Sequence, residues 1–204
     1  MGTIAFDLDG TIIDTSLQEK DFLYWYEKVA RLGKYNGRIV HGMQCAKDIF
    51  PDADSKVFSD FDSYIERFWH SRYPLKPGVI ELFSWLKEKG HKVFIITSRG
   101  ADVWGGSTFD EVKEDTIKCL QPIVDFIDGV YMGIPSNEKI DVCKECGVTV
   151  YVDDSPTVLE SAKDSEVKMI IADNVYNREF DGIRVSSYCP AFFVDALEQV
   201  GGLD

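Results

Sequence analysis

The sequence predicts an α/β protein, a parallel sheet flanked by helices on both faces. Three observations carry this. Apolar runs of strand length alternate with stretches of helical spacing along most of the chain, and strands that read as continuous apolar runs are those buried on both faces of a parallel sheet. Three of those runs end in polar clusters: Asp7 and Asp9, Thr97 and Ser98, Asp153 and Asp154. In open α/β sheets, ligands bind beyond the carboxyl ends of the strands. Finally, about 60 mostly helical, aromatic-rich residues separate the first strand from the next αβ step.

The opening strand is Ile4-Ala5-Phe6, running into Asp7-Leu8-Asp9-Gly10-Thr11. Ser16 and Glu19 have the spacing of a helix-capping box. Phe22, Leu23, Tyr26, Val29, Ala30 and Leu32 then mark helical spacing up to Gly33. After a turn-rich loop at 34–38, helices are expected near 42–50 and 54–70, broken at Pro51. Pro77-Gly78 opens a helix that runs to Gly90, with Val79, Leu82, Phe83 and Leu86 on one face.

A strand at 92–96 follows and ends at Thr97-Ser98-Arg99-Gly100. A polar loop over about 101–109 leads to a helix over about 110–121. A short strand near 130–132 and a helix near 136–146 precede the strong strand at 148–152. A helix at 156–163, a strand at 167–171 and a helix at about 190–200 complete the pattern.

Of the 204 residues, 45% are apolar, enough for a sizeable core in one domain with an insertion. The net charge of −13 and pI near 4.6 exclude nucleic-acid backbones and anionic membranes as expected partners. No basic-then-apolar leader pattern precedes the first strand, and no apolar run spans a bilayer. Five scattered cysteines read as reduced thiols, so a cytoplasmic location is expected. Cys143 and Cys146 form a lone C-x-x-C within a helical pattern, with no further ligands spaced for zinc. His41, His70 and His91 show no paired spacing and receive no catalytic role.

The chemistry concentrates in the acids. Asp7, Asp9 and Asp14 fall within eight residues and repel one another. The two-residue period of a strand can point Asp7 and Asp9 to one side, and Gly10 permits a sharp turn. Paired carboxylates at a strand end suit a hard, oxygen-loving cation such as Mg²⁺. They also suit a division of labour between a nucleophile and a proton carrier. Thr97 and Ser98 end their strand with short hydroxyls that can bind a phosphate oxygen. Lys139 starts a helix upstream of the last acidic strand, 14 residues before Asp153 (153 − 139 = 14). An ammonium there can hold phosphate charge, with Lys144 as its competitor. Asp153-Asp154 need a cation or a helix N-terminus, and the helix opening near Pro156 supplies part of that.

In this order the four segments resemble the motifs of the haloacid dehalogenase-like superfamily, most of whose members are phosphatases. The resemblance covers essentially the whole chain. It implies a Rossmann-like core at residues 1–15 and 77–204, with a small helical cap inserted at 16–76. It implies Asp7 as the nucleophile that becomes an aspartyl-phosphate. It implies Asp9 as the acid that protonates the leaving alcohol and then takes a proton from water, with like-charge neighbours keeping it protonated. Mg²⁺ would be held by Asp7, the backbone carbonyl of Asp9, and Asp154, with Asp153 behind Asp154; the two could be exchanged. Thr97, Ser98 and Lys139 would bind the substrate phosphate.

Arg99 lies just past the second motif and either contacts substrate or pairs with Asp102 at the surface. Trp104-Gly105-Gly106-Ser107 lies in the loop beyond. One or two of Phe22, Trp25, Tyr26, Phe68 and Trp69 are expected at the pocket, the rest in the cap's core. The helix at 77–82, Ile-Ile-Thr-Ser-Arg and the short Lys139-to-Asp153 interval look like the 5′(3′)-deoxyribonucleotidase branch. The first motif, Phe-Asp-Leu-Asp-Gly-Thr-Ile, is instead the superfamily's generic form. The expected function is therefore Mg²⁺-dependent hydrolysis of a small phosphate ester, with a nucleoside monophosphate as leading substrate. The alternatives are a sugar-phosphate phosphatase, a phosphomutase, or a non-catalytic binding protein.

Overall fold

A computed structural model describes residues 1–43, 45–66, 73–101 and 108–202. The expected sheet is present. Six strands, β1 (Thr3–Phe6), β2 (Lys92–Ile96), β3 (Gly129–Tyr131), β4 (Val150–Asp153), β5 (Lys168–Ala172) and β6 (Ile183–Val185), lie in the order β3-β2-β1-β4-β5-β6. Every pairing is parallel. The chain passes from β1 to β2 on one side and later returns to place β4 on the other, so β1 sits where the winding reverses. Such a reversal opens a crevice at the carboxyl ends of the strands.

Register decides which residues meet there. Phe6 pairs with Ile95 of β2 and with Val152 of β4. The next residues along, Asp7, Ile96-Thr97 and Asp153, therefore leave three adjacent strands at one level. Side chains alternate between faces. Ile4, Phe6, Val93, Ile95, Val150 and Val152 enter one buried cluster with Phe83, Leu86, Phe193 and Leu197. Ala5, Ile96 and Tyr151 enter the other, against Ile140, Cys143, Val158 and Ala162. Asp7 and Asp153 share the parity of Ala5 and Tyr151, which puts both toward the second face.

The first face is covered by α4 (Val79–Glu88), α5 (Phe109–Leu120) and α8 (Pro190–Gln199), the second by α6 (Lys139–Glu145) and α7 (Pro156–Ala162). The insertion holds α1 (Gln18–Tyr24), a π-helical turn at Trp25–Val29, α2 (Ala46–Ile49) and α3 (Ser55–Glu66). Its aromatics form a cluster of their own. Phe22 stacks on Phe50 at 4.1 Å and meets Phe61 edge-on at 5.0 Å, with Trp25, Ile49 and Ile65 around them. Phe22 and Trp25 are buried here, and Tyr26 packs against Phe22 and Tyr35. The insertion leaves and rejoins the core through paired backbone: Asp14 N donates to Pro74 O at 2.9 Å, and Lys76 N to Ile12 O at 2.8 Å.

Several expectations are corrected. Strand β1 stops at Phe6, so strand alternation does not govern Asp9. Helix α1 starts at Gln18 without the Ser16/Glu19 box: Asp14 Oδ1 takes the Ser16 N–H at 3.0 Å, and Glu19 pairs with His41 at 2.8 Å. A capping box does form at α5, where Thr108 and Glu111 bond reciprocally. The expected helix at 42–50 contracts to α2, and β6 lies in a stretch with no expected strand. Phe68, Trp69, His70, Asp102 and the 104–107 loop lie outside the described residues.

Candidate active site

Three carboxylates, from Asp7, Asp153 and Asp154, come together with oxygens within 4.8 Å of one another, all buried. Asp7 is fixed as it leaves β1, its N–H donating to Val152 O at 2.9 Å. Lys139, the first residue of α6, donates to Asp7 Oδ1 at 2.6 Å and to Asp153 Oδ2 at 3.0 Å. Lys144 is instead half-exposed and paired with Asp141 at 2.9 Å. The one-turn spacing on α6 aims Lys139 at the strand ends while Ile140 and Cys143 pack beneath.

The two adjacent acids are held differently. Asp153 accepts from Lys139 and from the Ser155 N–H at 2.7 Å, at the start of α7. Asp154 accepts from Thr11 Oγ1 at 2.9 Å on one oxygen and from the Tyr176 hydroxyl on the other. Its backbone carbonyl accepts from Asn177 Nδ2 at 2.9 Å. Tyr176 and Asn177 come from a 3₁₀ turn, Val175–Asn177, that follows β5. The carbonyl of Gly10, inside the acidic loop, accepts from Lys76 Nζ and from Asn174 Nδ2 at 3.1 Å. None of Thr11, Lys76, Asn174, Tyr176 and Asn177 was singled out as a site residue. Thr11 lies inside the first acidic motif; no motif announces the other four, although a lysine ending the insertion and polar residues after an apolar strand were visible signals.

Electrostatics follow from burial. Burial pushes the Asp7 carboxyl well above the usual carboxylate range, Lys139 opposing and Asp153 and Asp154 adding to the rise. Burial and the Asp153 charge raise Asp154 to about 6. Burial disfavours the Lys139 ammonium, yet Asp153 and Asp7 more than offset this and its pKa rises. The cluster is thus short of positive charge: one ammonium bonds two of the three carboxylates, and the side chain of Asp154 accepts from hydroxyls. An all-oxygen donor set of this kind fits a hard divalent cation.

Asp9 stands apart from the three. Both of its oxygens accept from Arg99, Nε to Oδ2 and Nη2 to Oδ1, each at 2.6 Å. Asp102, the other partner considered for Arg99, lies outside the described residues. Thr97 is buried, and its Oγ1 accepts the Arg99 N–H at 3.2 Å. The Ser98 hydroxyl lies 3.3 Å from that of Ser136. Asp7, Thr97, Lys139, Asp153 and Asp154 thus gather at the ends of β1, β2 and β4, with Asp9 and Arg99 paired beside them. His91 is used elsewhere, accepting the Gly2 N–H at 3.2 Å.

Comparison with known proteins shows the family and the fold. A protein of Oceanobacillus iheyensis named "Putative nucleotidase OB0422" is 26% identical over 180 residues, covering 87% of this chain and 90% of that one. Among solved structures, a haloacid dehalogenase-like family hydrolase from Streptococcus pneumoniae superposes with a TM-score of 0.62 at 15% identity, covering 96% of this chain and 97% of the other. A β-phosphoglucomutase from Clostridium difficile superposes with a TM-score of 0.58 at 15% identity, covering 98% and 97%. The family model for haloacid dehalogenase-like hydrolases matches residues 1–166, and the chain belongs to that family.

Proposed function

We propose that this protein is a Mg²⁺-dependent phosphomonoesterase that hydrolyses a small phosphate ester through an aspartyl-phosphate on Asp7, with a nucleoside monophosphate as the leading substrate. The observation that carries this reading is the buried Asp7–Lys139–Asp153 bridge beside Asp154. Burying three acids around one ammonium is costly unless a cation and a substrate anion complete the site.

In this reading Asp7, Asp154 and the backbone carbonyl of Asp9 hold the ion, and Asp153 stays with Lys139. When bound, the ion offsets the repulsion between carboxylate and phosphate and polarises phosphorus. Asp7 attacks phosphorus as the bond to the leaving oxygen breaks. Asp9 gives its proton to that oxygen, then takes one from the water that cleaves the aspartyl-phosphate. Lys139 and the Thr97 and Ser98 hydroxyls bind the phosphate oxygens. Residues 16–76 act as a cap over the site. The relative named as a nucleotidase supports the substrate class. A small monoester, with far less negative charge than a polynucleotide, also suits an acidic chain better.

The test is phosphate release from a panel of nucleoside and sugar monophosphates with Mg²⁺, against an EDTA control. Selection for nucleoside monophosphates is expected. Preference for a sugar phosphate would reject the nucleotide class, and absence of release from every ester would reject the phosphatase reading.

A further inference from the structure

We propose that Arg99 is the positioning residue for the Asp9 carboxylate, fixing where the proton is delivered to the leaving oxygen, and that it makes no contact with the substrate. This rests on the phosphomonoesterase reading above. The guanidinium fork closes on both Asp9 oxygens at 2.6 Å, a bidentate geometry that sets direction as well as distance. The Arg99 side chain is only 3% exposed, whereas that of Asp9 is 32% exposed. Substrate therefore has access to the carboxylate and none to the guanidinium behind it.

The backbone that carries the fork is itself anchored. Arg99 O accepts the Gly133 N–H at 2.8 Å, and Arg99 N donates to Thr97 Oγ1 at 3.2 Å. Gly100 then turns the chain with φ +86°, and Ala101 N closes on Ser98 O at 2.9 Å. The exits of β2 and β3 are thereby tied together with Arg99 between them. The fork occupies one lone pair on each Asp9 oxygen and favours the ionised carboxylate, so the proton that Asp9 carries is taken up on a second lone pair and handed on within the same turnover.

The chemistry assigns a specific signature. In the first half-reaction the Asp7–phosphorus bond forms, the bond from phosphorus to the leaving oxygen breaks, and the Asp9 proton goes to that oxygen. A p-nitrophenolate leaves without a proton; an alkoxide does not. Loss of Arg99 should therefore slow the cleavage of alkyl esters selectively.

The experiment compares wild type, Arg99→Met and Arg99→Lys with Mg²⁺ in single-turnover quenched flow, on p-nitrophenyl phosphate and on an alkyl phosphate monoester. Arg99→Met is expected to cut alkyl cleavage by ~10²-fold, within the range of a positioned acid–base group, and aryl cleavage by less than ~3-fold. Arg99→Lys should recover part of the alkyl rate, and Arg99→Met should add nothing in an Asp9→Asn background. Equal losses on both esters, as a phosphate contact or a general distortion would give, overturn the proposal, as does no loss on either. A wild-type protein that cleaves neither of these esters nor any nucleoside or sugar monophosphate overturns the phosphomonoesterase reading itself.

Discussion

Lys139 Nζ stands 2.6 Å from Asp7 Oδ1 and 3.0 Å from Asp153 Oδ2, so one buried ammonium joins the ends of two neighbouring strands. Removing one partner of a buried ion pair leaves uncompensated charge, at a cost of about 3–5 kcal/mol. Lys139→Met is therefore expected to lose about that much stability in urea denaturation at pH 8. The loss should shrink at pH 5, where the acids can take up protons instead.

Tyr176 donates to the Asp154 oxygen opposite the one that Thr11 holds. Groups that orient a metal-binding carboxylate are worth about 10–100-fold in metal affinity. Titration calorimetry with Mg²⁺ on Tyr176→Phe should show a loss in that range, and an unchanged affinity would remove Asp154 from the ion's ligands.

Stability should depend on pH and metal together. Asp154 titrates near 6 in the folded protein, because of burial and Asp153, against an ordinary 3.8. A raised carboxyl pKa favours folding below the unfolded value and withdraws that support as pH rises through the folded one. Between about pH 4 and 6 the metal-free protein should thus lose on the order of 3 kcal/mol from this group. A divalent cation favours the ionised form, so the rise in melting temperature on adding Mg²⁺ should be larger at pH 7.5 than at pH 5. Thermal melts at both pH values with and without Mg²⁺ check this.

Gly10 turns at φ +78°, where a Cβ would collide with the Asp154 carboxylate and the Tyr176 hydroxyl. Left-handed backbone costs a non-glycine residue about 1–2 kcal/mol before any collision. Gly10→Ala is therefore expected to destabilise by more than that and to weaken Mg²⁺ binding, read by denaturation and calorimetry. Gly33, which has nothing within reach of a Cβ, should show the backbone cost alone.

The sheet and the main acids were legible because each rests on a local pattern. The β2 and β4 runs are continuous and apolar, and their polar ends, with Asp7, mark the reversal of the winding. Lys139 was legible from its place before Asp153. What was not legible depends on partners distant in sequence. Arg99 meets Asp9 across 90 residues and Tyr176 meets Asp154 from a turn after β5, and neither meeting leaves a periodic trace. The Ser16/Glu19 box failed because Asp14 and His41 outcompeted it for the same groups. Strand β6 was missed because Arg184 interrupts its short apolar run.

The central claim is covalent phosphoryl transfer to Asp7, and the most direct measurement is chemical. The protein is incubated with Mg²⁺ and a hydrolysed phosphate ester, quenched in acid and treated with borohydride, which reduces an aspartyl-phosphate to homoserine. Mass spectrometry of the peptide containing residue 7 should then show that reduction in wild type, and none in Asp7→Asn or with EDTA. Phosphate release at full rate with residue 7 unmodified, or from Asp7→Asn, would contradict the account.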